Sequence, residues 1–159
     1  MEIQEKMKND NIHSFIKNLL ENQPADWLKL TTHRLDIYNE EQAKIEFTEQ
    51  FETLYEEGKA DEESLSKIPT AYDYIRLGHP LSCVLEWGIA QLNKMHSENV
   101  ISFSSKIMPV LAVLRTNLIT DKHTQIYYNG ELPDCFDTDA LKKVYGYKFE
   151  LNKVEAIED

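Results

Sequence analysis

Cysteine, glycine and proline are all scarce: the 159 residues hold 2, 5 and 5 of them. So few glycines and prolines exclude collagen-like and low-complexity chains, while 42% apolar residues suffice for a packed core. Cys83 and Cys135 stand 52 positions apart in no CxxC or CxxH arrangement, which argues against a zinc site or a structural disulfide. No apolar run approaches the roughly 18 residues that a membrane-spanning helix needs. The opening MEIQEKMKND is polar rather than a leader, so a cytoplasmic protein without a membrane partner is expected. Basic residues are also few. Against 28 acids stand 17 Lys and Arg, a net charge of −11, which disfavours nucleic acid as a partner because phosphate neutralisation needs the opposite sign. The five histidines, His13, His33, His79, His96 and His123, show no ligand spacing, and no metal site is expected.

The acid is uneven. Residues 1–70 carry 8 basic against 16 acidic side chains, and residues 71–159 carry 9 against 12, which places any anion-binding site in the second half. Ile12, Phe15, Ile16, Leu19 and Leu20 recur at helical spacing, with Asp10 as the expected N-cap. Trp27 to Tyr38 follows no template and reads as an irregular connector. Phe47, Phe51, Leu54 and Tyr55 share one face of a helix over about 40–57, and Gly58 stops it. Its glutamates Glu40, Glu41, Glu46, Glu49, Glu56 and Glu57 form a solvated face or, on a sharper reading, a surface for a basic protein partner. Lys59 to Lys67 reads as a polar loop or short helix, and the one candidate boundary lies at Ile68-Pro69.

From Pro80 a helix is expected with Leu81, Val84, Leu85, Gly88, Ile89 and Leu92 on its apolar face. His79 before it reads as a turn residue. A buried strand at Val100 to Ser104, a buried helix over 108–118, a strand at Thr124 to Tyr128 and the turn pair Asn129-Gly130 follow. A helix capped by Asp137 or Thr138 and a strand over 147–154 complete an alternation that implies a small parallel three-stranded sheet. The fold expected is therefore α/β: a helical N-terminal region, 1–70, then a sheet with flanking helices, 71–159, in one compact domain.

In such sheets ligands bind beyond the carboxyl ends of the strands. Two loops hold that place, Phe103-Ser104-Ser105-Lys106-Ile107-Met108-Pro109 and Asn129-Gly130-Glu131-Leu132-Pro133-Asp134. Two hydroxyls and an ammonium at a helix start suit a phosphate or sulfate, although the serines equally suit a cap. Tyr128 sits where a base could stack; Trp27, Trp87, Tyr127, Tyr145 and Tyr147 read as core or sheet residues.

The segment EWGIAQLNKMHSENVISFSS (residues 86–105) followed by PVLAVL resembles the opening of the phosphoadenosine-phosphosulfate reductase family, where a strand ends in a serine-rich phosphate loop. YNGELPD (128–134) is similar to that family's D-T-G-x-x-F-P-E-T segment, and DTDALKKVYGYKFELNKVE (137–155) to the helix and strand after it. The resemblance spans roughly 79–155. It implies an adenine nucleotide alpha-hydrolase-like fold, a phosphate loop at Ser104, Ser105 and Lys106, and a nucleotide near Asn129 and Gly130. The chain departs from the family's S-G-G-x-D-S, has Tyr128 for an acid, and offers no counterpart to the later strands or the nucleophilic C-terminal cysteine. Cys135, beside Asp134 and Asp137, stands where neighbouring acids oppose a thiolate, and Arg76, Arg115 and Lys142 read as surface cations. The reading is a nucleotide-binding relative without full reductase activity, with no cofactor identified beyond an adenine nucleotide. The alternative is a regulatory module with a decayed loop and an acidic partner-binding surface; a homodimer completed across the sheet edge is a third.

Overall fold

The computed structural model describes residues 2–29, 39–69 and 79–156. It is mixed α/β, with six α-helices and a two-stranded parallel sheet among the described residues. Contacts divide it into Met1–Ser102 and Phe103–Asp159; the sequence reading sets its boundary at 70. Residues 30–38, with His33 and most of the irregular connector, and 70–78, with Arg76, lie outside the described residues.

The first unit is helical. Helix α1 runs Glu2–Glu21, so Asp10 lies inside it rather than capping it: the residues before it (EIQEKMKN) are mostly good helix formers, and the helix continues through them. Ile12, Phe15 and Leu19 are buried and Ile16 is half-buried, whereas Leu20 is exposed. A 3-10 turn, Ala25–Leu28, buries Trp27. Helix α2, Glu40–Glu56, is capped by Asn39, whose side chain accepts from the Gln42 amide at 3.0 Å. Asp61 caps the single turn α3, Glu62–Leu65. Helix α4, Pro80–Leu92, begins at His79, whose Nδ1 accepts from the Leu81 amide at 3.1 Å, so His79 is a cap. A second 3-10 turn spans Ser97–Asn99.

Trp87 centres this core. Its ring meets Tyr55 at 4.9 Å and Phe51 at 5.1 Å between centroids, both edge-on, while its Nε1 donates to Glu52 at 3.1 Å. The buried face of α4 is thus Cys83, Val84, Trp87, Gly88 and Ala90; Leu85 is 53% exposed and Ile89 is exposed too, against expectation. Apolar residues surround α4, so periodicity does not select a face and the bulk of Trp87 does. Helices α1 and α4 meet closely at Gly88, where a Cβ would stand 2.8 Å from Ile16 Cδ1.

No strand forms over Val100 to Ser104, which corrects the expectation of a buried one. The Val100 amide donates to the Ser97 carbonyl and the Ser102 amide to the Glu86 carboxylate, so neither serves a ladder, and Ile101 is 68% exposed.

In the second unit α5, Met108–Ile119, leads to β1, Thr124–Tyr128; then α6, Thr138–Lys143, leads to β2, Phe149–Lys153. The strands pair in parallel, Thr124 with Phe149, Ile126 with Leu151 and Tyr128 with Lys153. Leu114, Phe136, Leu141 and Phe149 form a small core, joined by Val110, Leu111, Ile126 and Leu151. The other sheet face carries the exposed Gln125, Tyr127 and Glu150. The sheet has two strands, not three, and α5 is half-exposed, with Val113 and Ile119 outward.

Candidate functional site at the carboxyl edge of the sheet

Parallel pairing puts the carboxyl ends of β1 and β2 on one edge. There the Val154 amide donates to the Tyr128 carbonyl at 2.9 Å, and Asn129 Nδ2 donates to the Glu155 carbonyl. Asn129 thus ties the exits of both strands together. Gly130 follows with φ +76°, a left-handed conformation that glycine adopts without strain; a Cβ there would meet nothing within 4 Å. The glycine meets the dihedral demand of the turn.

Asp137 caps α6, accepting from the Ala140 amide at 2.9 Å. Gly146, at φ +71°, lets the chain turn back. The Tyr145 and Tyr147 rings stack at 5.9 Å, 11° from parallel.

A cavity of about 260 Å³ is walled by Ile107 and Leu111 from the start of α5, by Cys135 and Asp137 before α6, and by Tyr145 and Tyr147 from the segment that leads into β2. Sites for drug-sized ligands are roughly 300–1,000 Å³, so this one suits a single ring system. Its walls are largely apolar, with one carboxylate at the rim.

Ser104 and Lys106 are exposed and Ser105 is half-buried. The Ser105 hydroxyl accepts from the Ile107 amide at 3.3 Å, and Ile107, at the N-cap of α5, offers no side-chain cap of its own. Pro109 supplies no N–H, so of the first three helical residues only Met108 and Val110 carry unpaired amides. None of Ser104, Ser105, Lys106, Asn129 and Gly130 lines the cavity, but Ile107, next to Lys106, does. Of the aromatics, Tyr145 and Tyr147 wall it and Tyr128 does not. Cys135 is an exposed free thiol and Cys83 a buried one.

One residue passed over in the sequence is Glu86, the one buried charged side chain among the described residues. It accepts from Lys44 Nζ at 2.6 Å and from the Ser102 amide and hydroxyl at 2.7 and 2.9 Å. A lone acid within an apolar helix was its signal. It links α2, α4 and Ser102 within the first unit.

Among the described residues no helix is long and apolar enough to cross a membrane, and no three His, Cys, Asp or Glu side chains gather as metal ligands. Compared with protein-family models, with curated proteins and with solved structures, the chain matches none.

Proposed function

We propose that the protein binds an adenine nucleotide or a related phosphate or sulfate ester at the carboxyl edge of its parallel sheet. The observation that carries this reading is a shared cavity. Its wall combines Ile107, directly after Ser104, Ser105 and Lys106, with Cys135 and Asp137 from the loop that follows Asn129-Gly130. A planar base fits the tyrosine-walled cavity, and its anionic group then reaches out toward Lys106 and the amides opening α5. Reduction is not part of the proposal, because the resemblance leaves the family's nucleophilic cysteine without a counterpart. The resemblance to the phosphoadenosine-phosphosulfate reductase family supports the ligand class, and a cytoplasmic setting belongs to the same reading.

Thermal unfolding with AMP, ATP and phosphoadenosine phosphosulfate tests it. A ligand at 100 times its Kd adds about 2.7 kcal/mol of stability. For a chain of this size that raises the midpoint by about 5–10 °C. The reading expects such a shift with one of the three, largely lost in Lys106→Ala; no shift with any of them at millimolar concentration overturns it.

A further inference from the structure

A cavity of about 530 Å³ lies in the first unit. One wall is the solvent side of α2, where Glu41, Ile45 and Glu49 repeat every fourth residue with Thr48 and Glu52 beside them. The other wall follows α4, with Met95 and Glu98. The opposite side of α2, Ala43, Phe47 and Phe51, is buried in the core, and of the groove's glutamates Glu52 is tied to that core through Trp87 Nε1.

Two features coincide in this groove. Ile45 and Met95 are 49% and 45% exposed, an apolar strip open to water. Around them stand four glutamates, of which Glu41, Glu49 and Glu98 have no side-chain partner among the described residues. The lining cation, Lys44, is held by the buried Glu86 and does not neutralise them. The whole unit carries 10 basic against 19 acidic residues, so the surrounding field has the same sign.

We infer that this groove receives a cationic amphipathic helix of a partner protein. Charge complementarity selects the occupant. A purely basic chain leaves Ile45 and Met95 wet, and a neutral apolar segment leaves the glutamates facing it unpaired. A helix with Leu- or Met-like side chains on one face and Lys or Arg flanking them satisfies both. The attraction is between exposed charges, so it weakens as salt rises.

The test uses the full chain and a fluorescein-labelled 14-residue peptide of Leu and Lys at helical spacing, read by fluorescence polarisation. Controls are a twin with Glu for every Lys and a scrambled isomer lacking the apolar face. The expected result is binding at least tenfold tighter than to either control. Glu41→Lys with Glu49→Lys is expected to weaken it about tenfold or more and Ile45→Ser about threefold, whereas Glu21→Lys with Glu150→Lys, the same charge change elsewhere, stays within about twofold. Amide shifts on α2 and over residues 91–98 of the unmodified protein locate the peptide whatever the variants do. Equal losses in both charge-reversed variants, equal binding of the scrambled peptide, or shifts elsewhere overturn the inference.

Discussion

Glu86 Oε1 accepts both the backbone amide and the hydroxyl of Ser102, at 2.7 and 2.9 Å, while its Oε2 takes the Lys44 ammonium at 2.6 Å. One carboxylate thus joins α2, α4 and the end of the first unit. The pair is asymmetric: the Lys44 side chain is 26% exposed and can return to water, but that of Glu86 is 5% exposed and cannot.

Lys44→Met is therefore expected to destabilise more than Glu86→Gln. Removing the cation from a buried carboxylate costs about 3–5 kcal/mol, here near the lower end because both Ser102 donors remain. Glutamine keeps an acceptor for Ser102 and releases Lys44 to solvent, at about 1.5 kcal/mol. Urea unfolding of the two variants gives the order, and the reverse order contradicts the asymmetry.

Gly88 and Ile16 form a second test. Alanine gains about 0.5–1 kcal/mol in a helix interior relative to glycine, but its Cβ presses on Ile16 Cδ1, a flexible tip. Gly88→Ala alone is expected to fall within about 1 kcal/mol of the parent, and adding Ile16→Val is expected to relieve the contact. A double-mutant cycle without coupling between the two positions would contradict the close approach of α1 and α4.

At Gly130 the strain is backbone only. Gly130→Ala at φ +76° is expected to cost about 1–2 kcal/mol, and Gly130→Asn, a residue that tolerates the left-handed region, less than half of that. Chemical denaturation followed by far-ultraviolet circular dichroism reads both. Equal losses would show that the side chain, not the dihedral, matters there.

Asp121 carries a pH dependence. A hydrogen bond from Lys148 at 2.8 Å, with the charge of that ammonium, holds its carboxyl below the ordinary range. A carboxylate with a lowered folded pKa contributes stability above its unfolded value, and that contribution disappears as pH falls from about 4 through the folded value. Asp61, held low first by the Ser64 amide, acts in the same direction. Asp121→Asn suits the left-handed φ of +51° at this residue and removes its titration. The variant is expected to lose that small contribution at pH 7 and to converge with the parent at low pH, so that its stability falls less steeply below pH 4; an unchanged acid profile contradicts the ion pair.

Much of the second unit was legible because local signals agree there. β1 occupies Thr124–Tyr128 as read, and Asp137 caps α6 as its sequence suggests. In the first unit α2 was equally plain, since polar residues separate its apolar ones. The reading failed where one signal served two structures. Val100 to Ser104 has the apolar character of a strand, but its amides are spoken for by Ser97 and Glu86, and the Glu86 bond joins residues 16 apart that no local pattern links. In α4 the apolar residues encircle the helix, so only the surroundings of Trp87 choose the buried side. At the candidate site, Ser104 to Lys106 and Asn129-Gly130 were visible as loops, whereas the cavity uses Tyr145 and Tyr147, which pattern alone assigns to packing.

Backbone chemical-shift mapping of the full chain during titration with AMP, ATP and phosphoadenosine phosphosulfate in turn examines the ligand site most directly. The account predicts saturable shifts at residues 104–111, 129–137 and 145–147, with α2 and α4 unmoved. Shifts absent at millimolar concentration of all three, or clustered on the acidic groove of the first unit, would contradict a nucleotide site at the sheet edge.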